Sequence, residues 1–204
     1  MTRIKICGVR TASDARFAVD AGADAIGVNF VPSSPRCIDV DGARAVVREV
    51  GSDTLVVAIV AGMSLEAMRA LREATGVSCL QLHGASSAEL EALLPHAYAS
   101  IAVATAEDAA RAEATPGEYV MVDAKVPGAL GGTGQAFDWS LVVGLAQRRR
   151  VVLAGGLTAG NVTRAIEQVR PWCVDVASGV ESAPGVKDPD KVRAFVAAVR
   201  SATP

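Results

Sequence analysis

Four groups able to move a proton or make strong hydrogen bonds stand at or near the ends of short β-branched runs. They are the thiol of Cys7, the amide of Asn29, the imidazole of His83 and the carboxylate of Asp123. Side chains alternate along a strand, so each run divides into two faces. Ile4 and Ile6, Leu80 and Leu82, Val120 and Val122, and Val174 and Val176 fall on one face. Lys5 and Cys7, Gln81 and His83, Met121 and Asp123, and Asp175 and Ala177 fall on the other. Packing alone would favour Val, Ile or Leu at the ends of this second set, since a buried polar group without a partner costs a few kcal/mol. Reactive side chains at equivalent strand ends therefore point to a catalytic site.

Other residues suit anions. Leu153-Ala154-Gly155-Gly156-Leu157 and Ala177-Ser178-Gly179-Val180-Glu181 place glycines directly after two late runs. Glycine lets backbone N–H groups approach an anion with no Cβ in the way. Paired loops of this kind often cradle phosphate at the end of an α/β barrel. Gly155, Gly156, Ser178 and Gly179 are thus the candidate phosphate residues. Pro32-Ser33-Ser34-Pro35-Arg36 follows the second run. Its prolines would hold Arg36 near the same place, where a guanidinium suits bidentate capture of a carboxylate. Gly131-Gly132-Thr133-Gly134 lies in the long connection after Asp123 and reads equally as a surface loop or as a lid with glycine hinges.

The elements that must position these groups alternate from end to end. Strand candidates are 3–7, 25–30, 55–60, 79–83, 98–103, 119–123, 151–154 and 173–177. Helical patterns separate them, as over 64–75, where Leu65, Met68 and Leu71 recur at three- and four-residue spacing. Ser86-Ser87-Ala88-Glu89 reads as a capping box and Thr105-Ala106-Glu107-Asp108 as a weaker variant. Gly22, Gly51 and Gly76 follow helices where the chain can turn left-handed.

Eight strand–helix units in 204 residues average about 25 residues each, near the short limit for a (β/α)8 barrel. A doubly wound sheet usually has fewer strands and carries a dinucleotide fingerprint after the first, where this chain has Cys7-Gly8-Val9-Arg10. The expected fold is α/β, a single-domain (β/α)8 TIM barrel over residues 1–204. Its reactive strand ends converge at the C-terminal mouth. Closure also makes the last strand a neighbour of the first. Lys5 and the inward Asp175 should then lie within about 6 Å of each other, because a lone buried ammonium would be very costly.

Composition excludes other classes. Twenty Lys and Arg against 22 Asp and Glu give a net charge of −2, so a basic nucleic-acid face is not expected. No segment reaches the ~20 apolar residues of a membrane helix, and MTRIKICGVR does not read as a signal peptide. Four cysteines lie far apart with no CxxC, which argues against a disulfide framework or a zinc site. The expectation is a reduced, cytoplasmic protein, monomer or homodimer, with no nucleic-acid or membrane partner. Cys79 and Cys173 read as small hydrophobes in the lower barrel, Cys37 as incidental, and Trp139 and Trp172 as packing residues. His83 reads as a polar residue lining the mouth or as a structural hydrogen-bonder. Arg148, Arg149 and Arg150 read as a solvated helix end.

Taken in order, the motifs resemble the phosphoribosylanthranilate isomerases of tryptophan biosynthesis. The resemblance is carried by Lys5-Ile6-Cys7-Gly8, Gly22-Ala23-Asp24-Ala25-Ile26-Gly27, Ser34-Pro35-Arg36, Leu80-Gln81-Leu82-His83-Gly84 and Asp123. It continues through Gly131-Gly132-Thr133-Gly134, Phe137-Asp138-Trp139, the two glycine loops, Gly185 and Lys187-Asp188, and so spans nearly the whole chain. Departures are Ile59-Val60-Ala61-Gly62 where the family has Phe-Val-Asn, Ala177 where it has Ser, and the loop between Asp123 and Gly131.

The resemblance implies an Amadori rearrangement of N-(5-phosphoribosyl)anthranilate to the 1-deoxyribulose 5-phosphate aminoketose. It implies Asp123 as the general acid on the ring oxygen, Cys7 as the general base at C2, and Arg36 on the anthranilate carboxylate. His83 would line the substrate and the glycine loops would hold its phosphate. No metal or cofactor is expected. A free thiol has a pKa of about 8.5 and an Asp about 3.9, so a base–acid pair working near neutrality should be shifted toward each other. Two other functions compete. A histidine-biosynthesis isomerase would use a carboxylate where Cys7 stands. A non-catalytic phosphometabolite-binding module would have no use for both Cys7 and Asp123.

Overall fold

The computed structural model describes residues 1–124 and 138–202. Eight parallel strands close into a barrel in chain order. They are β1 (Arg3–Cys7), β2 (Ala25–Asn29), β3 (Leu55–Ala61), β4 (Cys79–His83), β5 (Ala97–Val103), β6 (Tyr119–Ala124), β7 (Arg150–Leu153) and β8 (Cys173–Val176). Each lies within one residue of its expected ends. Around them run α1 (Ala12–Asp20), α2 (Val40–Val50), α3 (Leu65–Thr75), α4 (Ser87–Glu91), α5 (Ala106–Ala114), α6 (Val143–Arg148), α7 (Val162–Val169) and α8 (Pro189–Ser201). A two-stranded antiparallel ribbon, β9 (Glu181–Ala183) and β10 (Val186–Lys187), follows β8. Gly131, Gly132, Thr133 and Gly134 fall outside the described residues. Among the described residues, no helix is long and apolar enough to cross a membrane.

The helices begin where capping groups stand. Thr11, Asp39, Ser64, Ser86 and Thr105 each accept a backbone N–H of the first turn, and both expected capping boxes form. Asp188 caps α8, with Pro189 at the first position, where the missing N–H costs nothing. Gly76 ends α3 in the left-handed conformation.

The strand parity sorts the barrel into two cores. Ile4, Ile6, Leu80, Leu82, Val120, Val122, Val174 and Val176 pack outward against Met68 and Leu71 of α3 and Phe195 and Val199 of α8, among others. Each such buried side chain contributes about 1.5–3 kcal/mol. Inside, Val57, Met121, Val152 and Cys173 fill the lower barrel with Cys79, Tyr119 and Trp172 packed against them. Trp172 stacks obliquely on Tyr119, ring centres 4.8 Å apart, and Arg3 lies over its face. Trp139 is buried in the outer core.

Above that floor the interior turns polar. The β1–β8 register sets Lys5 opposite Asp175, and the β4–β5 register sets Gln81 opposite Tyr98. Lys5 Nζ donates to Asp175 Oδ1 at 2.6 Å and to Gln81 Oε1 at 2.9 Å, and Tyr98 OH donates to the same Gln81 oxygen at 3.0 Å. The Lys5–Asp175 pair expected from closure is therefore present. Burial alone would neutralise Lys5, but Asp175 holds its pKa well above the ordinary value. Losing either partner would leave a buried charge alone, at a cost of about 3–5 kcal/mol.

Candidate active site

The C-terminal mouth opens on a cavity of about 400 Å³ whose lining includes Cys7, Arg36, His83, Asp123, Gly155 and Ser178. Gly156 also lines it, whereas Gly179 does not. Gly179 packs behind, where an added Cβ would fall 2.0 Å from the carbonyl oxygen of Leu157. Its part is to let the two glycine loops approach each other. Gly62, just after β3, has open space around it.

Backbone glycines make room for the two reactive groups. A Cβ on Gly27 would sit 2.8 Å from Cys7 Sγ. Gly155 has φ +88°, and a Cβ there would lie 2.6 Å from Ala124 N and 2.9 Å from Asp123 Oδ1. Asp123 is 8% exposed, and its Oδ1 accepts the N–H of Ala124 at 2.7 Å. Cys7 is 8% exposed at the end of β1, packed with Val31 and Ile59.

The thiol does not behave as expected. Burial pushes the Cys7 pKa up from its ordinary value, and Asp175 pushes the same way. Lys5 and Lys187 pull it only part of the way back. The expected downward shift is thus corrected: desolvation of the thiolate exceeds the attraction of nearby cations. Cys7 rests as a neutral thiol.

His83 is held by a chain of hydrogen bonds. Because Gln81 Oε1 already accepts from Lys5 and Tyr98, its amide nitrogen is the donor to His83 Nε2, 3.0 Å away. The ring proton therefore sits on Nδ1. Burial, followed by the charge of Lys5, lowers the His83 pKa to about 4. An unfolded histidine titrates near 6.5. Below that pH the unfolded chain takes up a proton that the native site refuses, so stability falls as pH drops from about 6.5 towards 4. NMR titration should place the His83 midpoint near 4, and His83→Asn should reduce this acid-side loss of stability. A midpoint at the ordinary histidine value would contradict the burial argument.

Arg36 reaches the mouth, but its fork is already occupied. Nε donates to Glu181 Oε1 at 2.7 Å and Nη2 to Glu181 Oε2 at 2.8 Å. No hydrogen bond engages Nη1 among the described residues. A substrate carboxylate would meet that remaining edge, in place of the free bidentate fork expected from sequence. Glu181 and Lys187 are the site residues that sequence reasoning missed. Glu181 appeared only as the tail of a glycine motif. The Pro184-Gly185 turn between the two ribbon strands was the available signal.

Comparison with known proteins points one way. Residues 4–198 match the family model for N-(5′phosphoribosyl)anthranilate (PRA) isomerase. The chain is 44% identical over 202 residues to the N-(5′-phosphoribosyl)anthranilate isomerase of Pseudomonas aeruginosa (strain LESB58), covering 98% of this chain and 95% of that one. The phosphoribosyl anthranilate isomerase of Thermotoga maritima superposes with a TM-score of 0.90 at 33% identity, covering 98% of this chain and 99% of that chain. A phosphoribosyl anthranilate isomerase in complex with reduced 1-(o-carboxyphenylamino)-1-deoxyribulose 5-phosphate superposes with a TM-score of 0.88 at 32% identity, with the same coverage.

Proposed function

Because the chain belongs to the N-(5′-phosphoribosyl)anthranilate isomerase family, it catalyses the Amadori rearrangement of N-(5-phosphoribosyl)anthranilate, a step of tryptophan biosynthesis. We propose that Cys7 and Asp123 divide its proton transfers. The observation that carries this division is their meeting in one cavity, with an arginine and two glycine loops on its rim.

Asp123, as the acid, gives a proton to the furanose ring oxygen. The C1–O bond breaks, and the anthranilate nitrogen forms a protonated Schiff base with C1. Cys7, as thiolate, then removes the proton from C2. The C–H electron pair becomes a C1=C2 bond, and the iminium electrons return to nitrogen, which acts as the electron sink. The resulting enolamine loses its hydroxyl proton and gains one at C1, leaving the ketone of 1-(2-carboxyphenylamino)-1-deoxyribulose 5-phosphate.

The remaining groups bind and orient. Gly155 and Gly156, with φ of +88° and +63°, can turn backbone N–H groups toward the phosphate together with Ser178. The open edge of Arg36 takes the carboxylate, and the His83 ring offers its Nδ1–H as a neutral donor. Placing the phosphate and carboxylate at opposite sides of the mouth would hold C2 over the thiol, the kind of positioning that supplies much of an enzyme's rate.

The direct test generates phosphoribosylanthranilate in situ and follows the loss of anthranilate fluorescence with the purified chain. Turnover that depends on the chain is expected. Its complete absence would overturn the assignment.

A further inference from the structure

The ribbon β9–β10 follows the second glycine loop, yet its two charged side chains turn inward, behind Arg36. Its register sets Lys187 opposite Glu181. Glu181 Oε1 accepts from Lys187 Nζ at 2.9 Å as well as from Arg36 Nε. Lys187 Nζ also donates to the carbonyl of Ala177 at 3.2 Å, and Ala177 packs against the small cluster of Cys7, Val31 and Ile59. The Arg36 stem crosses Gly8, the residue after Cys7, so closely that a Cβ there would fall 2.3 Å from Arg36 Cδ. The ribbon is docked on the loop that carries Arg36: a Cβ on Gly185, at the ribbon turn, would lie 2.8 Å from the Pro35 carbonyl oxygen.

The charges in this cluster do not balance. One carboxylate, with its side chain 4% exposed, faces the ammonium of Lys187, 2% exposed, and the guanidinium of Arg36, 12% exposed. A buried cluster with one positive charge in excess is costly unless an anion completes it. Two anions reach this place during the reaction, the substrate carboxylate and the ionised thiol. We propose that the ribbon is a positioning element of the catalytic site: Glu181 orients Arg36, and Lys187 adds to Lys5 a second counter-charge for the Cys7 thiolate. The proposal rests on the roles given above to Cys7 and Arg36.

Charged and titratable groups face Cys7 from several elements. Lys5 comes from its own strand, Asp175 from β8, Arg36 from the loop after β2, and Glu181 and Lys187 from the ribbon, with His83 and Asp123 across the mouth. Lys5 is committed to Asp175 and Gln81. Lys5 nevertheless exerts the larger pull on the thiol and Lys187 the next, and Lys187 shares its carboxylate with a second cation, so its charge is not fully spent. The interaction is mutual: Lys187 favours the thiolate, and the thiolate favours the charged form of Lys187.

Opposite signs test the idea. The reaction of Cys7 with iodoacetamide, followed across pH by mass spectrometry of the peptide that carries it, reads the protonation of this thiol whether or not it is the catalytic base. Lys187→Met should move the midpoint about one pH unit higher, as expected when a nearby opposite charge is removed. Lys187→Arg should restore it. Glu181→Gln should move it lower by a similar amount and raise KM about tenfold, because Arg36 loses its anchor. Should Lys187→Met not fold, Lys187→Gln and Glu181→Gln carry the same two signs. Midpoints that stay put, or that move in the same direction, would overturn the proposal. Wild-type turnover by Cys7→Ala would instead overturn the assignment of the base and leave these midpoints as they are.

Discussion

Cys7→Ala lowers kcat by about two to four orders of magnitude, the usual range for a positioned general base, and changes KM far less. The reasoning is local. The thiol ends β1 with Gly27 beside it, and alanine removes one sulfur atom without disturbing the strand or any polar partner needed for folding. What is lost is the group that accepts the C2 proton, an interaction made only on the way to the transition state. The wild-type pH dependence should agree. Burial and Asp175 hold the thiol pKa up, so the reactive thiolate is a minority species near neutrality and kcat/KM should climb as pH rises toward the thiol pKa. Steady-state kinetics with substrate generated in situ measure both quantities. A variant within a few-fold of the wild-type rate would remove Cys7 from the mechanism.

Asp123→Asn is expected to cost a similar two to four orders of magnitude in kcat. The amide has the shape of the carboxyl, and its oxygen can still accept the Ala124 N–H that Asp123 Oδ1 accepts at 2.7 Å. It cannot deliver a proton to the ring oxygen, so the furanose should stay closed and the later C2 step should never begin. Asp123→Ala would confuse this reading, because it opens space beside Gly155. The conservative variant is the cleaner test, with melting temperature measured alongside to show that the barrel is unchanged. Retention of activity in Asp123→Asn would place the acid elsewhere.

The two-residue period of the strands made most of the barrel readable, because it is a local property that tertiary context rarely overrides. Ile4, Ile6, Val174 and Val176 declared the outward face. Cys7 and Asp123 declared the mouth because no packing demand accounts for them. Even the Lys5–Asp175 pair was accessible, since closure forces the first and last strands together. The direction of the Cys7 shift was not. It depends on how completely the thiol is desolvated, and counting nearby cations says nothing of that. Glu181 was missed because its partner Arg36 lies 145 positions away, and because strands of three and two residues are too short to show a period. Tyr98 was read only as a strand start. Its hydroxyl matters through Gln81, and so through the tautomer of His83.

The ion pair across the β1–β8 seam has a consequence for the growing chain. Asp175 is made 170 residues after Lys5, and before then nothing of its charge is available to the first strand. A buried ammonium without an anion is among the costlier states a protein interior can hold. While the chain lengthens on the ribosome, β1 is therefore better left in water than tucked against β2. The seam acts as a late latch: it discourages an early, incomplete barrel from settling and closes when the strand that completes the circle has emerged.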